Sequence, residues 1–296
     1  MNIIGHKKIF LSISGLLILA SVISVSMWGL NFGIDFKGGS LLEIRFLDGR
    51  PSPVVLQEAL TLLVGGTQVQ PSEDQGAIIR FRQVSEDEHQ AVLNRLGEIA
   101  GRGEELRFDA IGPTIGAELK QKAIIALALA IVAIIFYIAW AFRQVSKPVS
   151  SWKYGIVAVI ALIHDVAIPT GIFAVLGEFR GVEIDTLFIT ALLTILGFSV
   201  HDTIVVFDRI RENLRNQKAA EPFTAVVNRS IGETITRSIN TSLTVLLVLG
   251  AIFILGGVTT RYFSLALMLG IAFGTYSSLF VASPLLVIWD NFTKKK

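Results

Sequence analysis

The 296-residue chain is 52% apolar and only 17% charged, a balance too apolar for an ordinary soluble domain of this size. Its net charge of +2 carries no argument for nucleic acid, so the placement of the charges matters more than their sum. The absence of cysteine excludes disulfides, thiolate metal sites and thiol catalysis, and four histidines leave little material for a metal site.

An apolar stretch of about 20 residues is long enough to cross a bilayer as a helix. Six such stretches occur, at 9–30, 123–142, 155–177, 186–207, 238–256 and 263–289. The first reads as a retained signal anchor, because its apolar core is long and no convincing small-residue cleavage site follows it. The charge of the short connections predicts the orientation. Segments 1–8, 143–154, 208–237 and 290–296 hold 2, 3, 6 and 3 Lys or Arg, whereas 177–186 and 257–262 hold only Arg180 and Arg261. Both termini are therefore expected in the cytoplasm, with residues 31–122 outside.

Within that outer segment the pattern predicts a β-α-β-β-α-β unit over 40–111. Leu42, Ile44 and Phe46 alternate as in a half-buried strand. Ser52-Pro53 reads as an N-cap followed by proline at the first helical position, ahead of Leu56, Ala59, Leu60 and Leu63 at helical spacing. Short strands follow at 67–70 and 77–81. Ser85-Glu86-Asp87-Glu88 forms a capping box and opens a helix carrying Val92, Leu93, Leu96 and Ile99. A last strand is expected at 105–109. The order suggests a ferredoxin-like fold. No Ser-His-Asp set, metal cluster or phosphate loop appears in it, so a binding or lever module is the expectation. Gly38, Gly39 and Gly112, beside the membrane, are candidate hinges by their backbone freedom.

The fold class expected is thus an α-helical integral membrane protein with six transmembrane helices plus a small α+β external (periplasmic) domain between helices 1 and 2. The domain limits are 1–30, 31–122, a bundle at 123–289, and a basic tail at 290–296. The connection 208–237 contains a helix opened by Pro222, with Phe223, Val226, Val227, Ile231 and Ile235 on one side. It reads as an amphipathic helix at the membrane surface.

Ionisable residues inside the spans are the functional signal. A carboxylate at the centre of a membrane helix costs about 2.5–3.5 kcal/mol, and such a residue usually faces the bundle and has a partner. Asp165 lies roughly 15 Å into the third span. Pro169 follows four residues on and frees the Asp165 carbonyl from its helical hydrogen bond. Asp202 lies in the fourth span, roughly 9 Å from its cytoplasmic end. A histidine precedes each, His164 and His201. In the fifth span Arg237, Asn240, Thr241 and Thr244 form one helical stripe, which predicts Arg237 as the partner of Asp202. An Arg moving toward or away from an Asp would release or capture a proton. The alternatives are an inert buried ion pair, or a metal site at one of the His-Asp pairs, which point about 100° apart on their helices. In the sixth span Ala266, Gly270, Gly274, Ser278 and Ala282 place a small residue at every fourth position, a close-packing ladder for another helix.

Several runs then resemble the SecF family. They are Gly33-Ile34-Asp35-Phe36-Lys37-Gly38-Gly39 after the first span and Ile111-Gly112-Pro113-Thr114-Ile115-Gly116 before the second. His164-Asp165-Val166 lies in the third span, and His201-Asp202-Thr203-Ile204-Val205-Val206-Phe207-Asp208-Arg209-Ile210-Arg211-Glu212-Asn213 in the fourth. Arg237-Ser238-Ile239-Asn240-Thr241-Ser242 lies in the fifth. The resemblance covers essentially the whole chain.

It implies a subunit of the bacterial Sec export machinery, within the resistance-nodulation-division superfamily. The subunit would pair with SecD into a twelve-helix unit in the inner membrane and use a proton gradient, or sodium in some members. Implied partners are SecD, the SecYEG channel, YajC, the unfolded precursor in transit and membrane lipid, with no nucleic acid. No cofactor is implied beyond the coupling ion. Asp202, Arg237 and Asp165 would be the proton relay, with His164, His201, Asn240, Thr241 and Thr244 as supporting polar groups. No Walker-type phosphate loop occurs, so the expected function is non-enzymatic and not driven by ATP. One alternative is a small-molecule or lipid exporter of the same superfamily, which would normally carry both six-helix halves in one chain. The other is an intramembrane aspartyl protease, whose Gly-x-Gly-Asp pattern is missing before Asp202.

Overall fold

A computed structural model describes residues 3–72, 75–142, 150–216 and 221–294. The basic residues of 143–149 and 217–220 and the last two lysines, used for the orientation, lie outside them. The six long apolar helices cover Ile4–Trp28, Pro113–Ala141, Trp152–Arg180, Thr186–Asn216, Phe223–Leu255 and Val258–Phe292.

In chain order the helix α1 is Lys7–Trp28, and a single turn α2 is Ile34–Lys37. The strand β1 (Gly39–Phe46), helix α3 (Pro53–Val64), strands β2 (Gln68–Pro71) and β3 (Gly76–Phe81), helix α4 (Glu86–Ala100) and strand β4 (Gly103–Ile111) follow. The strands form one antiparallel sheet in the order β2-β3-β1-β4. The alternation in β1 sends Leu42, Ile44 and Phe46 into a core with Leu56 and Leu60 of α3 and Val92 and Leu96 of α4. Both helices start where their caps predict. Ser52 accepts from Val55 N at 3.4 Å, and Ser85 and Glu88 exchange the reciprocal bonds of a capping box at 3.4 and 3.0 Å.

The bundle helices are α5 (Pro113–Ala141), α6 (Ser151–Arg180), α7 (Thr186–Asn216), α8 (Phe223–Leu255) and α9 (Val258–Ser277), then a π-turn Ser278–Ala282 and α10 (Ser283–Lys294). Three of the spans are central and three peripheral. About half of the apolar window is buried in the third, fourth and sixth (56%, 50% and 61%), against 17%, 6% and 17% in the first, second and fifth. The ladder of the sixth span packs as its spacing predicts. A Cβ at Gly270 would overlap Ile195 of α7, and one at Gly274 would come within 3.1 Å of Ser199 Cβ. Gly171 makes the same kind of approach to Ser21 of α1.

One reading is corrected. The helix opened by Pro222 is not a separate surface helix. It is the first part of α8, continuous with the fifth span, and its apolar face (Phe223, Val227 and Ile231) is buried with Phe207 and Ile210 of α7. Propagating an existing helix adds a hydrogen bond per residue, and no proline interrupts 223–255. The sixth span, by contrast, is not one regular helix. Pro284 would bring its ring against the carbonyl of Phe280 in a regular turn, and the chain widens into the π-turn just before it.

The sheet unit is tied to the helix ends. Phe32 bridges Ile184 in parallel, with Gly33 N donating to Ile184 O at 2.9 Å and Ile184 N to Asn31 O at 2.7 Å. The Asp35 carboxylate accepts from Thr186 N at 2.8 Å, at the start of α7. Arg80 of β3 forms an ion pair with Glu183 at 2.7 Å, both side chains about 15% exposed.

Candidate functional site: two carboxylates in a cage of hydroxyls

Asp165 and His164 of α6 are fully buried. Asp165 Oδ1 is 2.8 Å from His164 Nδ1, and Oδ2 accepts from Ser199 of α7 and from Ser277 of α9 at 2.7 Å. The helix α6 runs through Pro169 without a break. Asp202 of α7 is 7% exposed. Its Oδ1 accepts from Ser238 of α8 at 2.6 Å, and its Oδ2 accepts from Ser278 of the π-turn. Ser242, one turn above Ser238, is bonded to Thr275 of α9. Among the described residues the side-chain hydrogen-bond partners of the two carboxylates are thus hydroxyls and the His164 ring. Hydroxyl donors satisfy a buried carboxylate without cancelling its charge.

Arg237 lies near Asp202 but is not its hydrogen-bond partner among the described residues. It is exposed on α8 and makes no ion pair with Asp202 among the described residues. It does line a cavity of about 300 Å³ with Asp202, His201, Phe198, Val205, Ser238 and Thr241. Asn240, Thr241 and Thr244 are exposed along the same face. The buried stripe of α8 is the neighbouring one, Ser238 and Ser242, turned by about 100°. Small hydroxyl residues let α8 approach α7 and α9 closely, which a long guanidinium would prevent. His201 is exposed and lines that cavity, unlike buried His164. The two His-Asp pairs are therefore not equivalent. Among the described residues no group of three or more His, Cys, Asp or Glu could hold a metal ion.

Of the three glycines offered as hinges, Gly38 (φ +78°) and Gly39 (φ +134°) need glycine's freedom, whereas Gly112 caps α5 in an extended conformation open to any residue. Gly38 also sits hard against α5. A Cβ there would come within 2.8 Å of Pro113, and one at Gly116 within 2.9 Å of Gly38 N.

Ser238, Ser277 and Ser278 are the residues whose role the sequence did not announce. The spacing of the sixth span assigns Ser278 to the packing ladder alone. For Ser277 and Ser278 the signal is two adjacent hydroxyls in the middle of an apolar span, the second six residues before Pro284.

The chain is similar to known proteins over nearly its whole length. Residues 92–292 match the model of the family described as protein export membrane protein SecD/SecF, C-terminal, and residues 29–46 match the SecD/SecF GG motif. Protein translocase subunit SecF of Thermobaculum terrenum is 43% identical, over 98% of this chain and 94% of that one. Its counterpart in Anaerolinea thermophila is 40% identical with the same coverage. The chain belongs to the SecF family. As a member it is a multi-pass membrane protein. The crystal structure of SecDF from Thermus thermophilus, described as a translocon-associated membrane protein, superposes with a TM-score of 0.86 at 33% identity. That match covers 98% of this SecF-family chain but 39% of the SecDF chain. A super-membrane-facing form of SecDF gives a TM-score of 0.70 over 100% of this chain and 39% of that one.

Proposed function

We propose that this SecF-family chain is one half of an ion-driven unit that promotes protein translocation across the inner membrane, with SecD as the other half. The observation that carries the reading is the polar face of α8. Arg237, Asn240, Thr241 and Thr244 lie exposed on a span, beside a cavity that reaches Asp202. Polar groups in a bilayer face protein or water rather than lipid, so a second helical unit belongs over this face. The chain matches only 39% of the SecDF chain, which leaves ample length there for such a half. Both termini are assigned to the cytoplasm by the charge of the short connections. The sheet unit over 39–111, with the strand order and pairing of a ferredoxin-like fold, is assigned to the outer side as the part that meets the chain in transit.

In this reading Asp202 takes up and releases the coupling proton. Arg237 biases its charge once the partner covers the cavity, and Asp165 is a second protonatable site. One charge crossing 100 mV supplies about 2.3 kcal/mol, enough for a few protons to drive a conformational step without ATP. SecYEG and YajC are the channel partners. The test replaces Asp202 by Asn, reconstitutes the chain with SecD, and measures gradient-stimulated export of a secretory precursor. The expected result is loss of the stimulation while gradient-independent export persists. Full stimulation in D202N would sink the relay.

A further inference from the structure

Two neighbouring residues on one helix each hold a different buried carboxylate. Ser277 Oγ lies 2.7 Å from Asp165 Oδ2, and Ser278 Oγ is bonded to Asp202 Oδ2. Their Cα atoms are one peptide apart, about 3.8 Å. Each hydroxyl also has a second acceptor one turn back, Gly274 O at 3.1 Å for Ser277 and Thr275 O at 3.0 Å for Ser278. A serine hydroxyl has one proton to give and lone pairs to accept with. It therefore serves one of the two acceptors at a time.

That choice maps onto the charge of the carboxyl. When the aspartate is ionised, the serine donates to it. When the aspartate carries a proton, its O–H donates to serine Oγ and the serine O–H turns to the backbone carbonyl. Each serine hydroxyl and the carboxyl oxygen it meets stay paired in either state, so neither incurs the penalty of an unmade hydrogen bond. The backbone around the pair is also a place where helical register can change. The π-turn begins at Ser278, Ser283 Oγ donates to Ser278 O at 3.1 Å, and Pro284 keeps the following turn from closing as a regular helix. Among the described residues the titratable or charged side chains facing the pair are His164, with Tyr276 stacked on it at 6.1 Å, and His201 and Arg237 around the cavity beside Asp202.

We propose that Ser277 and Ser278 are positioning residues that couple the protonation of Asp165 to that of Asp202 through the π-turn. This rests on the ion-driven reading above and adds a specific link between its two carboxyls. A proton taken by Asp165 reverses its bond with Ser277, whose own O–H turns to Gly274 O. The turn that carries Ser277 carries Ser278, so the bond to Asp202 adjusts. Two carboxyls joined in this way titrate as a pair rather than independently.

The test is an infrared titration of the full chain reconstituted with SecD in liposomes. It follows the protonated-carboxyl bands, assigned by their loss in D165N and D202N. In the wild-type background D165N is expected to move the Asp202 midpoint by about 1 pH unit, the size of one hydrogen bond to a charged group. In S277A/S278A the same substitution is expected to leave the Asp202 midpoint in place. S277T/S278T, which keeps both hydroxyls, should restore the shift. Co-purification with SecD reports that the variants fold. The proposal is overturned if D165N does not move Asp202 in the wild-type background, or if the shift is equally large in S277A/S278A. Because the readout is titration, a failure here is distinct from a failure of D202N to alter export.

Discussion

Glu183 is a carboxylate whose ionisation is tied to how the sheet unit sits. Burial is the largest influence on it and pushes its carboxyl above the usual 4.5. Arg80 and Lys37 pull the other way, and Asp185 adds to the rise. The docked state thus binds the proton more tightly than an undocked one would, so acid favours docking. The preference is full below pH 4.5 and is lost as the pH rises through the elevated docked value. With spin labels at Leu62 and Thr259 in the cysteine-free chain, the distance distribution should narrow as the pH falls toward 4.5. In E183Q that pH dependence should vanish. A distribution insensitive to pH in the unsubstituted chain would show that Glu183 does not report docking.

Between elements, close approach is what holds the helices in register. Gly171 of α6 lies where any side chain would meet Ser21 of α1, including its backbone Cα. Backbone cannot step aside as a flexible side chain can, so G171V should part α1 from α6. Overpacking of this kind costs about 1–3 kcal/mol. It should appear as a lowered thermal midpoint in detergent and faster proteolysis of α1. The same substitution at Gly15 of α1, which has nothing within 4 Å, should leave the midpoint in place. The Gly38–Gly116 contact acts likewise at the joint of sheet and bundle, and makes that joint a tight seat.

For the whole molecule, the informative surface is the one a solitary chain leaves polar. Three spans are largely unburied, and only α8 among them carries Arg, Asn and Thr along its outer face. Because the chain has no cysteine, N240C gives a single reporter there. It should react readily with a polar maleimide in the chain alone and become protected when SecD is present. A cysteine at exposed Leu129 of α5 should serve as a control that SecD does not protect. Equal reactivity of N240C with and without SecD would place the partner on another face.

The sequence alone determined the elements. The β1 alternation, the caps at Ser52 and Ser85 and the six apolar runs are local signals, set by side-chain period and backbone hydrogen bonding, and the structure has all of them. The buried positions of Asp165 and Asp202 were legible too, because a carboxylate in an apolar run must turn inward. Their partners were not. Arg237 and Ser238 are neighbours in sequence, and only the rotation of α8 against α7 and α9 decided that the serine bonds Asp202 while the arginine lines the open cavity beside it. Likewise, that Ser277 and Ser278 reach two different helices, and that the Pro222 helix runs on into the fifth span, follow from packing between segments far apart in the chain. Period and composition report which face of a helix is polar; which polar face is closed over depends on the shape of its neighbours, and that exists only in the folded bundle.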